Sequence, residues 1–266
     1  MGEVAVDECG EGEALLLLHG LGANRGIWQA VTPELARSRR VIAPDLPGFG
    51  DSRPLDGGFA LERAADAIAA AGAERIDGAF DLLGHSLGGA VAVSVARRHP
   101  GLVRRLVLCA PAGLAPRPDL VAIVLSSGAP AFLSARRTIG RRLAGSRTAR
   151  RALLFGAVHD GGRLTEDQAV ALLDASREAG ALRSAARVAI SVDVRSEVAR
   201  IGCPVGLMWG ERDLVVAAKS RSELADRYPA LPLETIPSAG HVAQVERPRE
   251  FAAALKRLLG RLRVAP

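Results

Sequence analysis

Aromatic side chains are scarce: Phe, Trp and Tyr make up 3% of the 266 residues. Any pocket in this protein must therefore be walled mainly by Leu, Val, Ala and Ile. Lysine is nearly absent, occurring only at 219 and 256, so arginine carries almost all of the 35 basic side chains. The net charge is +6 and the sequence pI about 10.1. No RNA- or DNA-binding motif accompanies the arginines, which are scattered along prospective helices. They read as solvated helical faces, and no nucleic-acid partner is expected. Cys9, Cys109 and Cys203 are odd in number and far apart. They offer neither a disulfide framework nor metal-ligand spacing, which fits a reducing, cytoplasmic setting with no metal. Residues 1–13 are acidic and lack an apolar core, so no signal peptide is expected. The longest apolar run, residues 119–133, is too short and too broken to span a bilayer, which argues against stable membrane insertion.

What is abundant is aliphatic. Apolar residues make up 48% of the chain, enough for one large α/β domain. Val4 to Glu8 alternates as an edge strand does. Ala14–Leu18 is a continuous aliphatic run and reads as a strand buried on both faces, and further strands are read at 40–45, 80–84, 105–110, 205–209 and 233–236. Helical patterns separate them at 26–37, 59–71, 87–98, 216–227 and 248–259. This alternation predicts a parallel, helix-flanked sheet. The rhythm breaks near Gly113. Residues 114–198 contain no convincing strand and read as helices at about 119–127, 131–143, 146–157, 165–179 and 181–191, rich in arginine. The expected organisation is a core of residues 1–113 and 199–266 with a helical cap at 114–198.

The stretch Phe80-Asp-Leu-Leu-Gly84-His85-Ser86-Leu87-Gly88-Gly89 is the focus of the chain. A strand runs into Gly-x-Ser-x-Gly and straight into a helix. A serine on so sharp a turn has its hydroxyl pushed above the sheet edge, and its neighbours must be small. The five-letter pattern alone is weak in a chain with 29 glycines; the strand before and helix after give it meaning. The plain alternative is a glycine-rich helix start whose serine caps the first turn.

Two other strand ends carry partners for a nucleophile. Serine is a weak nucleophile near neutral pH and needs a base, and the base needs a carboxylate to fix its tautomer. Of the five histidines, only His241 directly follows the last strand. The preceding strand ends in Gly210-Glu211-Arg212-Asp213. Ser86 as nucleophile, His241 as general base and Asp213 as orienting acid are thus the expected catalytic residues. Glu211 is the second choice for the acid; Asp81 lies at the wrong end of its strand and Asp45 more simply braces a loop. The backbone N–H groups of Leu87 and of Leu21, in the loop His19-Gly20-Leu21-Gly22, are the expected oxyanion donors. Candidate pocket residues are His19, Gly20, Trp28, Leu125, Phe132 and Val242.

Taken together, His19-Gly20-Leu21-Gly22 with Trp28, Asp45-Leu-Pro-Gly-Phe-Gly-Asp51-Ser52, Gly84-His85-Ser86-Leu87-Gly88-Gly89, Gly210-Glu-Arg-Asp213 and Gly240-His241 followed by Glu246-Arg-Pro248 resemble the α/β-hydrolase family, in its order. The resemblance implies a mostly parallel sheet of about seven strands with a helical cap, a Ser-His-Asp triad and no cofactor. It marks Glu246 and Pro248 as structural. The chain departs from the family by starting at what would be its second strand and by Val216, where many members carry proline. A serine nucleophile argues against the carboxylate-dependent haloalkane dehalogenases and epoxide hydrolases. Hydrolysis of a small or medium carboxylic ester, lactone or thioester through an acyl-enzyme is the expected activity. Carbon–carbon bond hydrolysis, cofactor-free perhydrolysis, acyl transfer, and ligand binding without turnover are the alternatives. The cap arginines could also attract an anionic acyl carrier.

Overall fold

The structure, a computed structural model, describes residues 3–114, 138–174, 179–216, 225–226 and 228–263. Its centre is a seven-stranded sheet: β1 Val6–Cys9, β2 Ala14–Leu18, β3 Arg40–Pro44, β4 Phe80–His85, β5 Val103–Cys109, β6 Val205–Gly210 and β7 Leu233–Ile236, in the order β1-β3-β2-β4-β5-β6-β7. β1 is antiparallel to β3; every other pairing is parallel. β2 and β4 are buried at every residue, as strands covered on both faces must be.

Side-chain alternation splits the core into two layers. Leu16, Leu18, Leu82, Leu106 and Leu108 point to one face and meet the helices Leu61–Ala73 and Leu87–Arg98. Leu15, Leu17, Leu83 and Val107 point to the other, with Trp28 and the helix Pro248–Arg261. Alanine lines the facing sides of the first two helices (Ala64, Ala65, Ala90, Ala92), so they pack close on the sheet.

The helix expected over 26–37 is instead a 3₁₀ turn, Arg25–Trp28, and a short helix, Thr32–Leu35. Gly26 weakens helix there, and Pro33 can sit only in a helix's first turn. Trp28 and Leu35 both turn inward and are buried.

Among the described residues between β5 and β6 there is no strand beyond an isolated bridge, Phe155 to Val158. Helix occupies 138–143, Arg147–Leu153, Glu166–Asp174, Ala179–Ser191 and Arg195–Val198. The two ends of this stretch lie side by side, since Val194 N–H donates to Gly113 O (3.1 Å). The helix expected at 119–127 lies outside the described residues, as does most of that expected at 216–227. No helix among the described residues is long and apolar enough to cross a membrane.

Strand order fixes where a ligand can sit. From β2 the chain goes to β3 on one side, while β4 pairs on the other, so the crossover direction reverses between β2 and β4. Loops leaving the carboxyl ends of two such strands diverge and leave a crevice. His19–Gly22 follows β2 and Ser86 follows β4.

Candidate active site

Ser86 sits at φ 54°, ψ −119°, a backbone region rarely occupied by residues with a side chain. Its surroundings hold it there. Ser86 N–H donates to Cys109 O of β5, and Ser86 O accepts from Gly89 N–H and from Ala112 N–H. The turn closes only because its flanks are glycine. A methyl at Gly84 would come within 2.3 Å of Gly88 O, and one at Gly88 within 2.4 Å of His19 O. The serine side chain caps no helix N–H. That removes the plain reading of a capping serine: the hydroxyl takes no part in starting the helix that follows it.

Gly20 lies directly beneath this turn, where a methyl would stand 3.0 Å from Ser86 Cβ and 3.1 Å from His85 Nδ1. The amides of Leu21 and Leu87 donate to no backbone carbonyl among the described residues. Leu21 follows Gly20 in the chain, and Leu87, next to Ser86, opens a helix whose positive end faces the turn.

His241 arrives from the loop after β7. Its Nδ1 is 2.9 Å from Asp213 Oδ2, and the two residues are 8% and 3% exposed. The other carboxylate oxygen, Oδ1, accepts Val215 N–H (2.8 Å) and Val216 N–H (2.9 Å). A proline at 216 would delete one of those donors, so valine there strengthens the acid's anchorage. Glu211, by contrast, turns back to accept Ser238 N–H (3.1 Å).

His85 enters the site as a residue to which the sequence assigned no role. Its ring stacks at 4.7 Å on the His241 ring, tilted by 47°. Its Nε2 is 2.9 Å from His241 O. Burial, and then the neighbouring His241, push its pKa well below the ordinary value. It is therefore neutral, carries its proton on Nε2 and donates it to that carbonyl. The residue next to Ser86 thus holds the main chain of residue 241. The only sequence signal was its place inside the Gly-x-Ser-x-Gly turn.

His19 and Trp28, expected to line a pocket, are instead fully buried supports. His19 Nδ1–H donates to Gly20 O (2.9 Å) and Nε2 accepts Leu46 N–H (2.9 Å), joining the loops after β2 and β3. Burial first of all lowers its pKa to about 4, so it is neutral. Trp28 packs on Phe251 in the apolar layer behind the sheet. Val242 is buried in that layer too, with its N–H on Ala157 O. Leu125 and Phe132 lie outside the described residues. Asp45 braces its loop, accepting Arg25 N–H, the Arg25 guanidinium and Asp51 N–H. Among the described residues no group of His, Cys, Asp and Glu is arranged to hold a metal ion.

A strained, uncapped serine after β4 and an aspartate-bound histidine after β7 match one family throughout. The profile of the alpha/beta hydrolase family covers residues 15–254. The chain belongs to the alpha/beta hydrolase family. Over 271 residues it is 31% identical to the pimeloyl-[acyl-carrier protein] methyl ester esterase of Aeromonas hydrophila, covering 97% of this chain and 99% of that protein. A shorter stretch of 112 residues is 46% identical to the 2-hydroxymuconate semialdehyde hydrolase of a Pseudomonas species, covering 40% and 39% of the two chains. Among solved structures, a thermophilic esterase from Thermogutta terrifontis superposes with TM-score 0.76 at 26% identity, covering 98% of this chain and 94% of that one.

Proposed function

We propose that this alpha/beta hydrolase is a serine esterase acting on a small or medium carboxylic ester through an acyl-enzyme. The observation that carries this is the Ser86 turn: a strained serine whose hydroxyl is not spent on capping its helix. In this reading His241 Nε2 takes the Ser86 proton as Oγ attacks the ester carbonyl carbon, forming a tetrahedral oxyanion bonded through Oγ. The Leu21 and Leu87 amides stabilise that oxyanion. Collapse expels the alkoxide, which receives the proton from His241. A water then repeats the sequence and releases the acid and free Ser86. Asp213 keeps the imidazole proton on Nδ1, so that Nε2 can accept.

We read residues 114–198 as the cap over this edge. The ester reading is favoured over lactone and thioester by the full-length likeness to an esterase. Exposed Arg141 and Arg142 would give an anionic acyl carrier an attractive field. Reversing their charge should slow acyl-carrier esters selectively. The 46% identical stretch, shared with a 2-hydroxymuconate semialdehyde hydrolase, favours a second reading, hydrolysis of a carbon–carbon bond in an aromatic ring-cleavage product. The two separate by turnover on p-nitrophenyl esters against turnover on a ring-cleavage product. A fluorophosphonate should label Ser86 and lose its target in Ser86→Ala; folded protein that takes no label rejects the nucleophile.

A further inference from the structure

Beside His241, the mechanism above leaves a partly buried acid, Glu246, without a task. Glu246 ends the short helix Ala243–Glu246, five residues past His241. Its Oε1 accepts the N–H groups of His159 (2.6 Å) and Asp160 (3.2 Å), and its Oε2 accepts Gly240 N–H. Three main-chain donors from two distant parts of the chain therefore share one carboxylate. One part is the segment 157–160, inside the helical stretch between β5 and β6. The other is the residue immediately before His241.

Two further contacts tighten the same joint. Val242 N–H donates to Ala157 O (3.2 Å), so the residues on both sides of His241 are tied to the 157–160 segment. Gly240 is pressed on that segment: a methyl there would stand 2.6 Å from His159 N and 2.8 Å from Val158 C. On its far side the loop is fixed to the acid loop, since Arg212 N–H donates to Ala239 O (2.8 Å) and a methyl at Gly210 would strike Gly240 O at 2.0 Å. The backbone bearing the imidazole is thus clamped between the Asp213 loop and a piece of the helical stretch, and Ser238 beside it is held at φ 52°.

We propose that Glu246 is a positioning residue for His241: its carboxylate makes the placement of the imidazole depend on the seat of segment 157–160. This rests on His241 being the general base. A single carboxylate can serve both sides because each oxygen is an acceptor; an amide cannot, since one of its ends is a donor. Movement of the helical stretch over the sheet edge is in this way felt at the base itself.

Two variants load the joint from opposite sides. Glu246→Gln keeps one acceptor and turns an NH₂ against an N–H. Gly240→Ala, at a φ that alanine tolerates, drives a methyl between the loop and His159. Both should lower kcat on p-nitrophenyl acetate roughly ten- to hundredfold, the range a displaced catalytic group produces, with little change in KM. Both should also shift or broaden the downfield ¹H resonance of the His241 Nδ1 proton. Leu258→Ala, a core truncation remote from the site, should destabilise without changing kcat per folded molecule. Wild-type-like kcat and an unmoved Nδ1 resonance in both variants would overturn the proposal. If one variant does not fold, the other decides. If wild-type protein turns over no ester, the esterase reading fails, and the Nδ1 resonance still tells whether Glu246 positions His241.

Discussion

Replacing Asp213 by asparagine is the sharpest test of the site because the structure dictates which way the amide must lie. Oδ1 accepts two backbone N–H groups, from Val215 and Val216, while Oδ2 faces His241 Nδ1. An amide turned with its NH₂ toward the loop would lose both of those bonds and bring donors against donors, at about 1–2 kcal/mol for each. That is a preference of about 2–4 kcal/mol, or more than about thirtyfold, for keeping oxygen on the loop. The NH₂ then points at His241 Nδ1, which can meet it only as an acceptor. The imidazole proton moves to Nε2, and the nitrogen that should take the Ser86 proton can no longer accept one. A wrong tautomer with geometry otherwise intact costs on the order of 10⁴ in kcat in the well-studied serine protease triad. Asp213→Asn should therefore lose about 10³–10⁴ in kcat on p-nitrophenyl esters. Thermal melting should change little, and fluorophosphonate labelling of Ser86 should slow in parallel. Glu211→Gln, aimed at Ser238 instead, should keep kcat within about threefold. An Asp213→Asn protein retaining more than about a tenth of wild-type kcat would refute the assignment of the acid.

The other expectations concern the scaffold. Asp81 is fully buried and bonded by Arg39, Arg104 and Arg105, whereas Glu13 reaches the same arginines from solvent. Asp81→Asn should cost about 3–5 kcal/mol in urea unfolding because it strands buried charge. Glu13→Gln should cost less than about 1 kcal/mol, and equal effects would show that burial is not what makes Asp81 matter. Burial alone would raise the Asp81 carboxyl, but Arg105 and Arg104 outweigh it and hold it below the ordinary range. Its contribution is complete above the unfolded value of about 4 and fades as pH falls through the folded one. His19, lowered to about 4, acts at higher pH: stability is complete above about 6.5 and falls by roughly 3 kcal/mol as pH drops toward 4. Urea midpoints that do not change over that interval would contradict a neutral buried His19. Gly88→Ala sets a methyl against His19 O and Leu18 O, both backbone. It should cost about 1–3 kcal/mol and slow Ser86 labelling; an unchanged labelling rate would show that the turn has slack.

Much of the fold was legible because it rests on local rules. Ala14–Leu18 is apolar without alternation, as strands covered on both faces are, and the apolar part of Phe80–His85 reads the same way. Gly84, Gly88 and Gly89 around Ser86 announced a turn with no room for side chains, and each glycine meets an obstacle within 2.6 Å. What misled was direction and distance. His19 stands in a loop at the right sheet edge, but its ring is claimed by Leu46 N–H, 27 residues away. No spacing rule shows which way a loop histidine points. Trp28 follows the same loop and turns into the layer behind the sheet, because the 3₁₀ turn ending there points it at Phe251. Glu246 was legible as structural, but its partners at 159, 160 and 240 are brought to it only by the folded topology.

What was legible and what was not share a cause. Each of the proposed reacting groups sits at the end of a strand or on the loop just past it, and strand ends are what periodicity locates best. Ser86, Asp213 and His241 follow β4, β6 and β7, and main-chain bonds to each loop fix them: Cys109 O and Ala112 N–H for Ser86, Val215 and Val216 N–H for Asp213, and His85 to the carbonyl of His241. The site is thus assembled from backbone turns, with side-chain packing beneath it, so its composition survives in a linear pattern. Specificity is built the other way. On the reading proposed above, it depends on which side chains of the stretch between β5 and β6 reach Ser86, and that stretch carries no strand period that would fix their aim. The chemistry of such a chain can be read from its sequence well before its substrate can, and the substrate must be sought in what covers Ser86.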